Sequence, residues 1–540
     1  MDFDIDSKQH NPFQKISTKY VIPLVLLFAS FSIYAYNLEG QAWHGDEIFY
    51  NSAGTFYFDL LKEGDLLNPC WNGLEECDSY HPLDWGWPVR DGHIRSLFVG
   101  FGRDLVGDPV KDPYAWSCFL SWLSPTNCWK DEYMPPPSEL VSGRILSPVL
   151  GSLSVMLVYF IGKSLFNRFT GLSFALILLI YNFWVWNSRA AMTEVYAGFF
   201  TLLTILLLIY AVKTKSNINY KYLIFSSLVF GISINVKLNS AELIVLLVAI
   251  IVFRKSFGKK LDFRILRKRK ELLNTFFIIL IFFSGTTMAL FVSNPYYYPD
   301  PINQLLEMGR GEKDLGISRG IKIVLITYPS IENDHVFRTL ATFHSTLIPY
   351  FVPYYEAQSS EQSFHDLYLN GTVTISTIPL SIFFFIGLFY LISKIRKKNV
   401  NFSEFVLLVW FTSLFVFSVL TVREFTMERY FFPVMIPVMV IASYGLWNLM
   451  DKIQSRKEKF LLFFSFIFCH SLFTLTFWKT IYFSPDQMIL NPLPFTMQNS
   501  FNDPIVLWAS IGFVILLITL LFKNRKTKNK NFLKTQGELL

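Results

Sequence analysis

Charged residues are scarce in this sequence. Asp, Glu, Lys and Arg make up 16% of its 540 residues, whereas a typical soluble domain has about 25%. Hydrophobic residues account for 52% and aromatic residues for 18%, including 56 phenylalanines. This composition argues against a soluble protein and predicts an all-α polytopic membrane protein.

Apolar stretches without charges recur along the chain at lengths that can cross a bilayer, for which a helix needs about 20 residues. They predict about twelve transmembrane helices, at 20–38, 145–162, 169–188, 195–212, 222–236, 241–253, 272–292, 373–393, 404–422, 430–450, 460–478 and 504–522. The stretch at 241–253 is the weakest, because only 243–253 is free of charge. Twelve spans place both termini on the same side of the membrane.

Most basic residues lie in short runs between the apolar stretches. If the N-terminus is cytoplasmic, 31 of the 48 Lys and Arg residues fall on the cytoplasmic side, including RKSFGKKLDFRILRKRK (254–270) and KIRKK (394–398). The positive-inside rule therefore predicts cytoplasmic termini in the plasma or inner membrane. The same placement explains the net charge of +7 without a nucleic-acid partner. A cleavable signal peptide is not predicted, because the first apolar stretch is long and lacks a small-residue cleavage site.

The predicted spans divide the chain into five parts. A cytoplasmic N-terminus (1–19) precedes a transmembrane core (20–300) that contains a large external loop at 39–143. A second external loop (301–372) contains apolar pieces too short to span, which suits re-entrant segments. C-terminal transmembrane helices (373–522) and a basic cytoplasmic tail (523–540) follow.

The first external loop is acidic, with 17 Asp or Glu against 6 Lys or Arg, and it is rich in tryptophan. We expect short helices along the membrane surface, anchored by tryptophans that include Trp71. Four of the five cysteines lie in this loop: Cys70, Cys77, Cys118 and Cys128. An even count outside the cell predicts one or two disulfides, with three pairings open. Four free thiols are the alternative interpretation.

An acid pair follows the first span, in the stretch QAWHGDEIFY, as Asp46 and Glu47. The predicted topology brings further ionisable residues to the same face: Arg189, Glu194, Lys237, Arg423, Glu428 and Arg429. Each alone is explained as a solvated or snorkelling side chain, but charges at membrane depth generally mark functional sites. A carboxylate can take a proton from an attacking hydroxyl, and Arg or Lys can hold a phosphate. The set therefore predicts a displacement at a carbon whose leaving group is a lipid-borne phosphate.

Several stretches carry a resemblance to a known family. They are HGDEIFY, PPPSELVSGRILSPVLGSLSVMLVYFIGKSLFNRFTGL (135–172), NSRAAMTEVYAGFF, GISINVKLNS, SNPYYYPDP and MERYFFPVMIPVMVIASYGL (427–446). In their order and topological placement they resemble the C-type (GT-C) membrane glycosyltransferases that use polyprenyl-phosphate sugars. The resemblance is to the group that contains the protein O-mannosyltransferases, the aminoarabinose transferases and related lipopolysaccharide-sugar transferases.

The resemblance implies a role for each matching residue. Asp46 matches the catalytic base, and Glu47 matches the second acid, which supports the base or contacts the acceptor. Lys237 and Arg429 match the residues that bind the donor phosphate, with Arg189 helping. Residues that line the same cavity are Glu194, His44 and Tyr50. No metal and no cofactor is implied, because the lipid-linked sugar is itself a substrate.

The implied reaction is transfer of a sugar, with inversion, from polyprenyl phosphate to an acceptor on the outer face of the membrane. The enzyme is expected to be mannosyltransferase-like, transferring a hexose or a pentose, and its partners are the donor, an acceptor protein, lipid or envelope glycan, and membrane lipids. The sequence departs from the family at MPPP (134–137), where a basic residue is usual before the prolines, and in its longer, cysteine-containing first loop.

Three other interpretations agree with parts of the sequence. Oligosaccharyltransferases share the C-type fold but use a divalent metal and a WWD motif, and this sequence has no WWD. A metal site could be drawn from His44, Asp46, His81 and His93, but their spacing is irregular. A transporter or lipid flippase also suits twelve spans, yet transporter folds commonly contain internal repeats, and the sequence shows none.

Overall fold

The computed structural model describes residues 12–39, 45–72, 93–107, 137–213, 218–298, 300–304, 306, 378–421, 432–483, 508–509, 511–521 and 523. Within these ranges the chain is almost entirely helical, and its β structure is an isolated antiparallel bridge between Lys260 and Asn401. The all-α prediction is confirmed for this part of the chain.

The α-helices are numbered here in chain order. The first half contains α1 (Pro12–Ala35), α2 (Gly45–Glu63), α3 (His93–Leu105), α4 (Pro137–Arg144), α5 (Leu146–Leu165), α6 (Arg168–Leu179), α7 (Asn182–Asn187) and α8 (Thr193–Val212). The second half contains α9 (Tyr220–Val236), α10 (Ile244–Val252), α11 (Arg269–Val292), α12 (Ile378–Arg396), α13 (Phe402–Thr421), α14 (Phe432–Lys452), α15 (Arg456–Phe483) and α16 (Ile511–Leu521). A 3-10 helix, Leu238–Leu243, joins α9 to α10.

Five helical stretches are long and apolar enough to cross a membrane: Leu140–Leu165, Thr193–Val212, Arg269–Val292, Pro379–Arg396 and Pro433–Lys452. Shorter apolar helices occupy other predicted spans, among them Tyr20–Ala35 and Tyr220–Val236. The chain is therefore an integral membrane protein. Helices occur at all twelve predicted positions, but the number that cross the bilayer stays a prediction.

The predicted span 169–188 consists of two helices. Helix α6 ends at Leu179, and the chain turns at Tyr181 in an extended conformation before α7 begins. The Tyr34 hydroxyl of α1 donates a hydrogen bond to the Leu179 carbonyl at 3.0 Å. A terminal carbonyl needs such a partner when a helix ends inside a protein. The hydrogen bond from α1 therefore stabilises the end of α6, which the apolar pattern does not predict.

The helices run between two ends of the bundle that differ in their charges. At the end we name the site end, α1, α6 and α9 finish and α5 and α8 begin. The Tyr34–Leu179 contact joins the ends of α1 and α6, and the Lys237–Glu194 pair joins the end of α9 to the start of α8. At the opposite end, named the basic end, α5, α8, α12 and α14 finish close to lysines. There the segments 259–261 and 400–402 are joined by backbone hydrogen bonds, including Phe402 N–H to Lys259 carbonyl at 3.1 Å.

Helices α2 and α3 fall in the predicted first external loop and pack against each other. Gly54 and Gly100 make the crossing close, because a Cβ on Gly100 would overlap the Gly54 carbonyl. Lys62 pairs with Asp104 one or two turns further along both helices, so the two run in the same direction. The expectation of a surface-anchoring Trp71 is wrong: its side chain is buried and stacks on Tyr57.

Candidate active site

The first turn of α2 is fixed to the bundle by Glu47. Its carboxylate is fully buried and forms a fork-to-fork ion pair with Arg144, at 2.8 Å from Nε to Oε1 and 2.7 Å from Nη2 to Oε2. The backbone N–H of Ala191 donates a further hydrogen bond to Oε1 at 2.7 Å. A buried carboxylate needs such a set of partners to remain charged. Three distant segments therefore meet at this one side chain.

The C-terminus of α1 is held by arginines from later in the chain. Arg189 Nη1 donates to the carbonyls of Ile33, Tyr34 and Tyr36, at 3.1, 3.2 and 2.6 Å, and Nη2 donates to the carbonyl of Asn37 at 2.9 Å. Asn37 has a left-handed backbone (φ 46°), which is common just after a helix. A cation at a helix C-terminus is also favoured by the helix dipole.

The charge of Arg189 is costly to bury. Burial, with the repulsion of the Arg144 charge, lowers the pKa of Arg189 to about 10. The guanidinium still carries its charge at neutral pH, because that pKa lies well above 7. The carbonyls at the end of α1 stabilise the charge of Arg189, and the Glu47 carboxylate compensates that of Arg144.

Helix α3 adds a third buried arginine beside α2. The guanidinium carbon of Arg95 lies 3.4 Å from the centre of the Tyr50 ring, within the range of a cation–π contact. Its Nη1 donates to the Thr193 hydroxyl at the start of α8 at 2.6 Å. One turn later, the Phe98 ring packs on Tyr196 and Phe200 of α8. Helix α3 thus connects α2 to the beginning of α8.

Glu194 and Lys237 form an ion pair at the mouth of a cavity. Lys237 Nζ lies 3.0 Å from Glu194 Oε1, and the two side chains are 16% and 3% exposed. The cavity has a volume of about 50 Å³. Residues that line it include Glu194, Lys237, Thr201, Trp410, Leu414 and Ile436. The cavity is therefore lined by one charged pair and by mostly apolar side chains from α8, α13 and α14.

The structure brings some of the predicted site residues together at the cavity and places others away from it. Glu194 and Lys237 are brought together at the cavity, as their shared topological face predicts. Tyr50 packs under Arg95 and is absent from the residues that line the cavity. Arg189, expected to help bind phosphate, is engaged with α1 carbonyls instead and is almost fully buried.

Other predicted residues lie partly or wholly outside the described residues. Position 46 belongs to the first turn of α2, but the description does not include the Asp46 side chain. Cys70 is disulfide-bonded. Predicted residues that lie entirely outside the described ranges are His44, His81, Arg423, Glu428, Arg429, Cys77, Cys118 and Cys128.

Sequence reasoning missed Arg144, Arg95 and Thr193 as members of this site. Arg144 lies in the quoted stretch 135–172, immediately before the apolar residues of α5, and this position was a signal. The sequence signal for Arg95 was weaker: it is a charged residue on the apolar face of HIRSLFVGF in α3. Among the described residues, no group of three His, Cys, Asp or Glu side chains is arranged to hold a metal ion.

The family of dolichyl-phosphate-mannose-protein mannosyltransferases matches residues 112–296 of this chain. The resemblance is confirmed. The matched stretch contains Arg144, Arg189, Glu194 and Lys237, and it begins after the acid pair at 46–47. A comparison with curated proteins finds no significant match.

Two solved structures are also similar to this chain. ArnT from Cupriavidus metallidurans bound to undecaprenyl phosphate matches with a TM-score of 0.45 and 12% identity, over 95% of this chain and 77% of that one. The Archaeoglobus fulgidus oligosaccharyltransferase tethered to an acceptor peptide matches with a TM-score of 0.41 and 11% identity, over 88% of this chain and 55% of that one. At such TM-scores no residue of one protein is placed on another.

Proposed function

We propose that this protein is a membrane glycosyltransferase that transfers a sugar from a polyprenyl-phosphate donor to an acceptor hydroxyl at the site end. The observation that carries the proposal is the cavity beneath the Glu194–Lys237 pair. The family that matches residues 112–296 is described as using dolichyl-phosphate mannose, which supports a lipid-phosphate donor and a mannosyltransferase-like activity.

The cavity suits a donor with a charged head and an apolar tail. The Lys237 ammonium is a compact cation that can neutralise the phosphate of the donor. Below it, Trp410, Leu414 and Ile436 offer apolar surface to the isoprenoid chain.

Asp46 is the base in this proposal. The acceptor hydroxyl oxygen attacks the anomeric carbon, its proton passes to Asp46, and the bond from that carbon to the phosphate oxygen breaks. Polyprenyl phosphate leaves, with Lys237 stabilising its charge and Arg429 assigned to the same task. Attack from the side opposite the leaving group inverts the anomeric configuration.

Glu47 supports the base without touching substrate. Its carboxylate is fully buried against Arg144 and Ala191, so it fixes the first turn of α2, in which Asp46 is the preceding residue. Orientation of this kind is a large part of enzymatic rate enhancement.

The site faces outside the cell in this proposal. The lysine-rich basic end is cytoplasmic by the positive-inside rule, which puts both termini inside and the cavity mouth outside. The acceptor is a hydroxyl of a protein, a lipid or an envelope glycan. The five-part division of the chain predicted above is retained. The residues of the proposed transfer site come from the core at 20–300 and from the region near 429.

Transfer of label from polyprenyl-phosphate [³H]mannose and a panel of other labelled polyprenyl-phosphate sugars tests the proposal. The purified protein is reconstituted with host membranes, and Asp46→Asn is compared with Asp104→Asn, which removes an exposed carboxylate of α3. We expect label in macromolecules or lipids with wild type and Asp104→Asn, and none with Asp46→Asn. No transfer from any donor by folded wild type rejects the proposal in favour of transport, and full activity of Asp46→Asn rejects Asp46 as the base.

A further inference from the structure

We infer that Arg95 is a positioning residue that sets the separation between the base on α2 and the phosphate-binding cation at the cavity. The inference rests on the proposed function, and it assigns a role to a residue of the first external loop. Arg95 is 1% exposed, so it acts through the side chains that it contacts and does not touch a substrate.

Two contacts of Arg95 join α2 to the start of α8. On one side its guanidinium covers the Tyr50 ring at 3.4 Å, and Tyr50 lies one helical turn after position 46 on the same face of α2. On the other side it donates to the Thr193 hydroxyl at 2.6 Å, and Thr193 is followed directly by Glu194.

Each contact continues to a residue with a proposed chemical role. From Tyr50 the path reaches Asp46 through one turn of regular helix. From Thr193 it reaches Glu194, whose carboxylate lies 3.0 Å from Lys237 Nζ. The planar guanidinium presents donors in a rigid fork and stacks on rings, so it fixes both a distance and an angle. A lysine in its place has one flexible point charge and fixes neither.

Helix α2 is also attached to the bundle by a buried ion pair that does not involve Arg95. The Glu47–Arg144 pair joins α2 to the segment before α5 and to Ala191. The Arg95 contacts approach the same turn from α3 and α8. Two independent attachments of this turn, to Ala191 just before α8 and to Thr193 at its start, leave little freedom for the distance from position 46 to the cavity.

Arg103 is the matched control. It lies on the same helix, two turns after Arg95, and it is equally buried at 1% exposure. It belongs to neither the Tyr50 contact nor the Thr193 hydrogen bond. Arg95→Met and Arg103→Met therefore remove the same charge from the same helix, and only the first interrupts the connection between α2 and α8.

The test is steady-state kinetics of sugar transfer with varied donor concentration. A displacement of about 1 Å at a reacting centre can cost roughly 100-fold in rate, so we expect Arg95→Met to lower kcat on the order of 100-fold. The donor KM should change by less than about 3-fold, because Lys237 and the cavity wall are retained. Arg95→Lys should recover only part of kcat. Arg103→Met, if folded, should keep the wild-type kcat.

Thr193→Val keeps the inference open to refutation if Arg95→Met does not fold. This substitution removes the hydroxyl at nearly constant shape and should lower kcat in the same direction, by about 10-fold. In the double variant Arg95→Lys/Thr193→Val, the loss should be smaller than the product of the two single losses. Equal kcat for Thr193→Val and wild type, or independent losses in the double variant, overturns the inference. Absence of transfer by wild type from every polyprenyl-phosphate sugar instead rejects the proposed function.

Discussion

The two ends of the helical bundle hold charges in opposite ways. At the site end, Arg144 and Glu47 are both 0% exposed and bind each other through two hydrogen bonds. At the basic end the pairs are more exposed: Lys255 with Glu271, and Lys523 with Glu458, in which the lysines are 45% and 66% exposed. Buried arginine with fixed geometry is common at the first end, and solvent-exposed lysine is common at the second, although Arg254 there is also buried.

The difference separates two uses of charge in one membrane protein. Exposed lysines contribute little to stability individually, and in the proposed topology they set the orientation of the chain. Buried arginines are expensive to desolvate, and the site end accepts that cost at three positions: Arg95, Arg144 and Arg189. This cost agrees with the proposed function, in which the relative positions of α1, α2 and α8 set the distance between the base and the phosphate-binding cation.

The largest expected effect is the loss of a buried partner at the site end. Arg144→Leu leaves the Glu47 carboxylate buried without its counter-ion, and breaking such a pair typically costs about 3–5 kcal/mol. Arg168→Leu is the matched control, because it removes an exposed arginine at the start of α6 and should change stability by about 0.5 kcal/mol or less. Chemical denaturation in detergent measures both. Equal losses in the free energy of unfolding would contradict the distinction between a buried ion pair at the site end and exposed charges at the basic end.

The next effect concerns binding, and it compares two lysines that each pair with a buried glutamate. Lys237 pairs with Glu194 at the cavity at 3.0 Å, and Lys394 pairs with Glu404 at the basic end at 3.5 Å. Both glutamates are 3% exposed. Hydrogen bonds to charged groups contribute about 1.5–3 kcal/mol, so Lys237→Met should raise the donor KM about 10- to 100-fold. Lys394→Met should leave it unchanged, and a parallel rise in both variants would contradict a phosphate site at Lys237.

The smallest effect tests how closely α2 and α3 are packed over the site end. A methyl group on Gly100 would overlap the Gly54 carbonyl, whereas one on Gly512 would meet no atom within 4 Å. Gly100→Ala should therefore destabilise the protein by about 1–3 kcal/mol through overpacking. Gly512→Ala should be neutral or stabilising, because alanine is the better helix former. Melting temperatures of the two variants give the comparison, and a stable Gly100→Ala protein would show that the helices can separate.

The apolar pattern predicts much of the bundle, because uncharged length is a property of the sequence alone. The spans near α5, α8, α11, α12 and α14 were placed within a few residues, and the predicted topology brought Glu194 and Lys237 to one face. The break between α6 and α7 was not predicted, since it depends on a hydroxyl from Tyr34, 145 residues away.

The partners of the buried charges could not be predicted for a related reason. Glu47 and Arg144 are 97 residues apart, and several arginines were equally eligible by topology. Arg189 has the residue type of a phosphate ligand, but its geometry makes it a helix cap. A guanidinium serves a carbonyl, a carboxylate or a phosphate equally well, and only tertiary packing decides which of them lies within reach.

The arginine at the end of α1 also has a consequence for biosynthesis. Arg189 is separated by 152 to 156 residues from the carbonyls that it caps. At ordinary rates of synthesis, the ribosome needs roughly 10 to 30 s to make that intervening stretch. The last carbonyls of α1 therefore stay uncapped until the segment that carries Arg189 has been made. Helix α1 is completed only after α2 to α7 have been synthesised.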